Sequence, residues 1–417
     1  MTWMNTAFLR IRKIKTFDSL KVSAYRMFFL GMIGQWSTFS MEMVARTYLV
    51  YEITGSTAKL GIMSLANAVP IIVLSLFGGA VADRLSKKRL ILLAQIAMSI
   101  VSLGNAIAVS VGYLGPAHPE SWWLLVLGAA MMGTIIAMAM PSRQAIIPEL
   151  VDQKQIMNAI SLNTMGMSFF QLVGPATAGF AIDSFGYAAV FFLMTVLNIS
   201  GIVFTACLPK SKPIQPLGRS MLTNVFDGFK YILSHRTVFL LLALFVAAIL
   251  LAMPYQMLMP VFAKDILKVG VSGQGTLMSV AGFGALAASL TLASLPSRKR
   301  GVTLLLANIL MGMALVVFAF SVSWPLSIGM MLVVGMGLTG NNTAGAALLQ
   351  SYTDPEYLGR VMSVMSMSFG LSGLGTFFAG MLAESISAQW ALGGLAAVLV
   401  AIMLGVLIFL PRIRKLD

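Results

Sequence analysis

The chain has 417 residues, of which 58% are hydrophobic and 10% are charged, whereas about 25% of the residues in an ordinary soluble domain are charged. A mean hydropathy of +0.90, with 38 glycines and 31 methionines, is typical of helices packed in lipid. Each membrane crossing takes about 20 residues. With the connecting turns included, this length holds about a dozen helices and leaves almost nothing over, so it excludes a large extramembrane enzyme.

The hydropathy pattern predicts two sets of six apolar segments. The first set covers about 25–52, 59–83, 90–114, 122–142, 156–182 and 186–208. The second set covers about 237–262, 274–296, 301–323, 325–350, 358–384 and 389–411. We expect an all-α integral membrane protein with an N-terminal half (1–208) that begins with a basic stretch, a linker (209–236) and a C-terminal half (237–417). Helical spacing of apolar residues in the later linker predicts an amphipathic helix on the membrane surface.

The net charge of +14 comes from 28 Lys and Arg against 14 Asp and Glu. Basic residues cluster between the apolar segments, which argues against nucleic acid as a partner and for the lipid bilayer. If the N-terminus is cytoplasmic, all but four of the 28 basic residues fall in cytoplasmic segments. The exceptions are Lys59, Lys264, Lys268 and, inside the first helix, Arg46. This asymmetry predicts that both termini are cytoplasmic.

The first segment carries a carboxylate and a guanidinium four residues apart. Glu42 and Arg46 share one face of a helix, in the order that favours an i,i+4 pair. If the helix begins near Arg26, Glu42 lies roughly 24 Å along it, in the outer half of the bilayer. A lone charge at that depth costs about 2.5 to 3.5 kcal/mol. Two interpretations stand: a protonation site tuned by Arg46, or a fixed structural ion pair.

The two halves repeat each other at corresponding places. A basic cluster follows both the second and the eighth segment. In the fifth segment Gly179 precedes Asp183 by four residues, and in the eleventh Gly380 precedes Glu384 by four residues. Internal repeats of this kind are how many transporters build a central site. We expect Asp183 and Glu384, at the outer ends of their helices, to be solvated.

Other membrane protein classes lack support. The two histidines, His118 and His235, have no nearby ligand set, and no hydrolase or metalloprotease motif occurs. There is no phosphate-binding loop for a nucleotide-driven pump and no repeated polar ring for a channel. The single cysteine, Cys207, excludes an internal disulfide. We expect no catalytic residue, no metal and no cofactor, and therefore no enzyme.

The loop after the second segment carries a specific motif. Residues 79–88 read G-A-V-A-D-R-L-S-K-K and resemble the loop between helices two and three of the major facilitator superfamily, G-x-x-x-D-R-x-G-R/K-R/K, with Ser86 in place of the second glycine. Four further strings resemble the bacterial enterobactin-exporter and macrolide-efflux branch of that family: Pro141–Val151, Asn158–Ala159, Pro260–Ala263 and Leu358–Met362. The resemblance implies twelve transmembrane helices in two pseudo-symmetric six-helix halves.

The resemblance also implies roles for residues that match the family's motifs. Gly79, Asp83 and Arg84 would form a conformational latch near the start of the eleventh helix and Arg360. The alternative for the basic residues of this loop is that they only enforce topology.

Residues 174–179 resemble the end of the antiporter motif of helix five, with matches at Gly174, Pro175 and Gly179, whereas the two earlier glycine positions hold other residues. Residues 122–142 carry no charge, so the family's helix-four arginine is missing and a proton relay at that position is excluded.

A set of polar and aromatic residues falls on helices that the family places around a central cavity. Each amide could instead bond a neighbouring helix, and each aromatic could face lipid. The candidate cavity residues are Gln35, Trp36, Asn67, Asn163, Gln171, Tyr255, Gln256, Asn341, Asn342 and Phe369. Together with the methionines they predict an adaptable, mainly apolar pocket for amphipathic ligands.

These observations predict a secondary transporter of the bacterial cytoplasmic (inner) membrane that works by alternating access. We expect it to export amphipathic small molecules of the multidrug type, coupled to proton entry at Glu42. The alternative is a siderophore or lipid carrier of the same fold without proton coupling. A more distant alternative is a membrane protein that transports nothing. The oligomeric state is unconstrained, with a monomer as the default expectation.

Overall fold

The structure, a computed structural model, describes residues 17–82, 86–209, 221–294 and 299–417. The N-terminal half holds α1 (Ser23–Thr54), α2 (Thr57–Ala82), α3 (Lys87–Ser110), α4 (Trp122–Leu150) and the long helix Ile156–Ala206. Gly186, with φ 79° and ψ 171°, interrupts that long helix and divides it into α5 (156–185) and α6 (187–206). Six spanning helices therefore come before the linker, as the sequence predicts.

The C-terminal half follows a helix at Met221–Ser234, which lies within the predicted linker. Its first span, α7 (Arg236–Ile266), is broken after Ala252, continues from Pro254 and ends in a π-helical turn, Phe262–Ile266. The remaining spans are α8 (Gly270–Ser294), α9 (Arg300–Phe320), α10 (Trp324–Tyr352), α11 (Leu358–Ser385) and α12 (Ala388–Phe409).

The length and composition of these helices fit a membrane. Within the described part of the chain, nine helical stretches are long and apolar enough to cross a bilayer, and one of them, Gln153–Ala206, holds both α5 and α6. α1 and α10 complete the set of twelve, and the polar side chains inside them lower their hydropathy. At 1.5 Å per residue the 32 residues of α1 extend for about 48 Å, more than the ~30 Å hydrocarbon core.

One predicted boundary is wrong. The sequence prediction ends the fourth segment at residue 142 and places Arg143 in a cytoplasmic loop, whereas α4 continues through Pro141 and Pro148 to Leu150. The extra turns bury Ile146 (1% exposed) against the inner part of α1 and α5. This packing holds the helix together even though each proline removes a backbone hydrogen bond.

The two halves meet along two seams that repeat each other. In the α5–α8 seam, Gly179 lies on the backbone of Val271 and Ser272, and Gly275 lies on the backbone of Pro175.

The α2–α11 seam is built in the same way. In it Gly380 lies on Thr57, Gly61 lies on Phe377 and Gly373 lies on Ala68. Small residues let helix backbones approach closely in membranes. At Gly61 and Gly380, and at Gly179 and Gly275 in the other seam, the halves therefore touch through backbone at equivalent positions of the repeat, whereas Gly373 meets the Cβ atom of Ala68.

We call the end of the bundle that holds the loops after the odd-numbered helices the outer end, and the opposite end the inner end. The names follow the orientation predicted from the basic residues.

Candidate functional site

Helix α1 is fixed inside the N-terminal half by close contacts with its neighbours. A Cβ atom at Gly34 would overlap the carbonyl oxygen of Leu197 in α6, and Thr38 donates from its hydroxyl to the carbonyl oxygen of Met194 at 3.4 Å. Phe39, by contrast, is 45% exposed although its neighbours in α1 are buried. The Phe39 side chain is therefore left free of the packing of α1 against its own half.

The predicted ion pair forms in α1. Arg46 Nη1 donates to Glu42 Oε1 at 3.0 Å, and the two side chains are 11% and 5% exposed. Arg46 Nε is buried and has no hydrogen-bond partner among the described residues. Glu42 lies about 28 Å along α1 from Ser23, past the middle of the span. The pair thus holds two opposite charges, and one unused N–H, inside an apolar bundle.

Other ion pairs between described residues have a different character. Lys87 pairs with Glu149 at 2.5 Å, and its side chain is 13% exposed against 29% for the carboxylate. The remaining two, Lys21–Asp18 and His118–Glu120, lie outside the spanning helices. Among the ion pairs of the described chain, Glu42–Arg46 is the one with both side chains inside a span and nearly closed to solvent.

Aromatic rings gather between α1 and α5. Trp36 meets Phe29 edge-on, with ring centroids 5.4 Å apart, and stacks on Phe170 at 6.4 Å. Phe169 packs edge-on against Phe170 at 5.2 Å and is 52% exposed. We call these four residues the aromatic cluster. It offers flat, polarisable surface on the inner side of Glu42: along α1, Trp36 lies about two turns and Phe29 between three and four turns before Glu42.

The amides predicted for the cavity in the N-terminal half lie in different environments. Gln35 donates to Met98 Sδ in α3 at 3.1 Å, and Asn67 donates to the carbonyl oxygen of Ala129 in α4 at 3.0 Å. Gln171 is exposed, and Asn163 is half-buried. Gln35 and Asn67 thus join helices within one half, the alternative fate stated above.

In the C-terminal half the predicted residues form three separate contacts. Asn308 donates to Asn341 Oδ1 at 2.9 Å, a bond within the half between α9 and α10. Gln256 donates to the Tyr255 hydroxyl at 3.3 Å.

The third contact is aromatic. Phe369, 43% exposed, packs edge-on against Phe245 at 5.8 Å. Asn342 is half-buried, and its side-chain oxygen has no partner among the described residues. The sequence pattern did not include Asn308 or Phe245.

Sequence reasoning missed a set of contacts that join the halves at the outer end. Tyr51 donates to Asp265, and Gln274 donates to the Thr47 hydroxyl at 3.0 Å.

Glu384 accepts hydrogen bonds from Ser56, Thr57 and Ala58 of the other half. Glu384 is exposed at the outer end of its helix, as expected, but it also makes these contacts with the other half, which the sequence analysis did not foresee. The one signal in the sequence was its correspondence with Asp183. With these contacts the described structure is closed at the outer end.

The sequence profile of the Major Facilitator Superfamily matches residues 27–375 and 244–416. The chain belongs to this superfamily. It is accordingly a multi-pass membrane transporter, and its twelve helices form the two pseudo-symmetric halves of the major facilitator fold.

Known relatives of this transporter are themselves transporters. It is 25% identical over 362 residues to the staphyloferrin A transporter of Staphylococcus aureus, covering 85% of this chain and 87% of that one. It is 26% identical to the multidrug efflux pump Tap of Mycolicibacterium fortuitum, covering 90% and 93% of the two chains. It is 24% identical to the multi-drug resistance efflux pump PmrA of Streptococcus pneumoniae, covering 75% and 76%.

Solved structures with the same fold are also transporters. A mutant form of the nucleoside transporter NupG aligns with a TM-score of 0.72 at 14% identity, over 92% of this chain and 99% of that one. The xylose transporter XylE from E. coli, in its inward open conformation, aligns with a TM-score of 0.67 at 12% identity, over 93% and 96%. At these identities the similarity is one of fold.

The superfamily's latch motif falls partly outside the described residues. Asp83 and Arg84 lie outside them, and Gly79 lies near the end of α2, where only the helical backbone is described. Arg360 lies in the first turn of α11, with its guanidinium 5.1 Å from the ring centre of Tyr357. The latch role of these four residues stays a prediction.

The linker helix packs next to this place through a stack of rings. Tyr231 lies 4.0 Å from the ring of His235 and 4.3 Å from that of Tyr357. Its hydroxyl donates to Asp354 Oδ2 at 3.1 Å, and burial raises the pKa of Tyr231 above its usual value. The phenol therefore stays protonated at neutral pH and keeps the linker helix attached to the C-terminal half.

The helix-five motif provides close packing. Gly174 faces the Ser40 side chain of α1, and Gly179 lies on the first turn of α8. Pro175 is buried inside the helix, and its neighbour Ala176 donates its N–H to Ser279 of α8 at 3.0 Å. The motif thus lies at the junction of α1, α5 and α8, and its link to antiport stays a prediction.

Proposed function

We propose that this transporter exports amphipathic small molecules in exchange for protons across the bacterial cytoplasmic membrane. The observation that carries the proposal is the Glu42–Arg46 pair, which places a carboxylate inside a span with a single ionic partner 3.0 Å away. The efflux pumps among the relatives support drug-like cargo.

The proposal includes an orientation and a division of the chain. Both termini face the cytoplasm, so the outer end faces outwards. Residues 1–208 and 237–417 move as the two halves, and residues 209–236 connect them. The basic residues near the inner end support this orientation.

In the proposed coupling, Glu42 binds a proton while the transporter is open to the outside and releases it while the transporter is open to the cytoplasm. Protonation neutralises the carboxylate and removes the counter-charge of Arg46. A guanidinium left alone at this depth costs about 2.5 to 3.5 kcal/mol. Protonation of Glu42 therefore favours a conformation in which the Arg46 guanidinium contacts another partner or water.

The cargo would bind beside the pair. The aromatic cluster offers rings for stacking, and Phe39 and Phe369 are partly exposed. Apolar walls with few polar anchors favour bulky amphipathic molecules over sugars or free amino acids. Of the ten predicted cavity residues, we retain Trp36 and Phe369 as the first candidates for contact with cargo.

A second candidate function is siderophore transport, favoured by the similarity to the staphyloferrin A transporter. In this alternative Arg46, with its unused Nε–H, would bind an anionic carboxylate of the cargo.

The test measures proton release from acid-loaded everted vesicles when candidate cargoes are added. The panel contains lipophilic cations, macrolides and carboxylate siderophores. The variants are wild type, Glu42→Gln and a matched control, Glu149→Gln, which removes the carboxylate paired with Lys87 at the inner end.

We expect lipophilic cations or macrolides to release protons in wild type and in Glu149→Gln, but not in Glu42→Gln at equal protein level. A response that persists in Glu42→Gln would return the pair to a structural role. A response to siderophores alone would favour the second candidate.

A further inference from the structure

We propose that Glu384 is an outer latch, a carboxylate that ties the α2–α11 seam together at the outer end, in addition to the Tyr51–Asp265 and Thr47–Gln274 contacts. It lies near the end of α11, whereas all of its described hydrogen-bond donors lie at the start of α2 in the other half. Such a latch would work in the same way whatever the cargo or the coupling ion is.

The carboxylate is saturated with donors from one short segment. Glu384 Oε2 accepts from the Thr57 N–H at 2.7 Å, the Thr57 hydroxyl at 2.9 Å and the Ala58 N–H at 3.1 Å. Glu384 Oε1 accepts from the Ser56 hydroxyl at 3.1 Å. Hydrogen bonds to an ionised acceptor are roughly twice as strong as neutral ones.

The position of these donors adds a second attraction. Thr57 is the first residue of α2, and the N–H groups of a first helical turn have no partner within the helix. They carry the positive end of the helix dipole, which a carboxylate complements. Glu384 therefore caps α2 from the opposite half, so the cap exists only while the halves touch.

The latch lies directly on the α2–α11 seam. Gly380, one turn before Glu384, lies on the carbonyl oxygen of Thr57, and the Thr57 hydroxyl is 2.9 Å from the Gly380 carbonyl oxygen. Opening the outer end separates these backbones and breaks the cap in the same movement. The free energy of these hydrogen bonds is then part of the free-energy difference between the outer-closed and outer-open states.

The repeat supplies an internal control. Asp183 occupies the place in α5 that Glu384 occupies in α11, four residues after Gly179, and Gly179 lies on the first turn of α8 as Gly380 lies on the first turn of α2. No described residue donates a hydrogen bond to the Asp183 carboxylate, whereas the Glu384 carboxylate accepts from two N–H groups and the Ser56 hydroxyl and shares the Thr57 hydroxyl proton with the Gly380 carbonyl oxygen. The structure thus has an outer latch on one seam and none at the equivalent place on the other.

The test follows the outer end by single-molecule fluorescence energy transfer in lipid nanodiscs. Dyes are attached at Val111→Cys and Val322→Cys, which are exposed residues of the outer loops in opposite halves, after replacement of the single native cysteine by Cys207→Ser. The protein is otherwise the full chain, without cargo. The measured quantity is the ratio of outer-open to outer-closed molecules.

We expect Glu384→Gln to raise this ratio about tenfold, because the amide keeps an acceptor for α2 but loses the charge. Glu384→Ala should raise it further, because no acceptor remains. Thr57→Val, which keeps the N–H and removes one donor, should raise it about threefold. Asp183→Asn should change it by less than about twofold, because no hydrogen bond from a described residue is lost.

The proposal is overturned if Glu384→Gln and Thr57→Val leave the ratio at its wild-type value, or if Asp183→Asn raises it as much as Glu384→Gln does. Loss of Glu384→Ala through misfolding leaves both of those comparisons intact. A raised ratio together with normal proton release would separate the latch from the coupling site. A raised ratio in a protein that moves no cation, macrolide or siderophore would leave the latch standing and remove the proposed cargo.

Discussion

Removing one member of the Glu42–Arg46 pair should cost more stability than removing both. The two charged atoms are 3.0 Å apart, and the side chains are 11% and 5% exposed, so both charges are largely closed to water. Glu42→Gln leaves a guanidinium, which cannot lose its proton in a protein. We expect this variant to lose about 3 kcal/mol of unfolding free energy.

The partner variant should be milder. Arg46→Leu leaves a carboxylate that can take up a proton and become neutral, so its loss should shrink as the pH falls. The double variant Glu42→Gln, Arg46→Leu holds no charge at this place and should return to within about 1 kcal/mol of wild type, because a buried ion pair is often replaceable by neutral residues.

Reversible unfolding in mixed micelles, followed by helical circular dichroism, measures all four proteins. A structural pair predicts that the double variant regains transport along with stability, whereas a coupling pair predicts that it regains stability alone. A Glu42→Gln variant as stable as wild type, or a double variant in which the losses of the two single variants simply add, would refute the energetic coupling of the pair.

Two further outcomes follow from the packing. Gly34→Ala should lower the free energy of unfolding by about 1 to 3 kcal/mol, because the new Cβ atom would overlap the Leu197 carbonyl oxygen. The control, Gly104→Ala, should be neutral or slightly stabilising, because a Cβ atom there has no neighbour within 4 Å. Thermal unfolding compares the two variants. Tyr231→Phe should keep the ring stack but lose both hydrogen bonds of the hydroxyl with Asp354, the one donated to Oδ2 and the one accepted from the backbone N–H. The loss of at least about 1 kcal/mol should raise amide hydrogen exchange in the linker helix about fivefold or more, and unchanged exchange would contradict that role.

The number and order of the helices could be predicted because a span needs about 20 apolar residues in a row and the linker breaks the pattern once. The end of α4 could not, because the rule that prolines and charges end helices ignores packing. Pro141 and Arg143 lie inside α4 since the following turn is buried against α1 and α5.

The candidate site divides in the same way. Glu42 and Arg46 were predictable because an i,i+4 pair depends on local helix geometry alone. Glu384 was not, because its donors lie more than 300 residues away and meet it only when α2 packs on α11. Gln35 shows the third case: the sequence gives its depth along α1, but its direction towards Met98 depends on how α3 packs.

The glycine seams have a consequence for motion. Where helices interlock through large side chains, sliding or tilting one against the other forces those side chains into new rotamers, and each step is resisted. At Gly61, Gly179, Gly275 and Gly380 the halves instead face each other with bare peptide, a nearly smooth surface. We expect rocking along such surfaces to meet little steric resistance. How often the outer end opens then depends mainly on the few hydrogen bonds that join the halves there. A bulky side chain at any of these four glycines would push the two helices of its seam apart and favour the outer-open state.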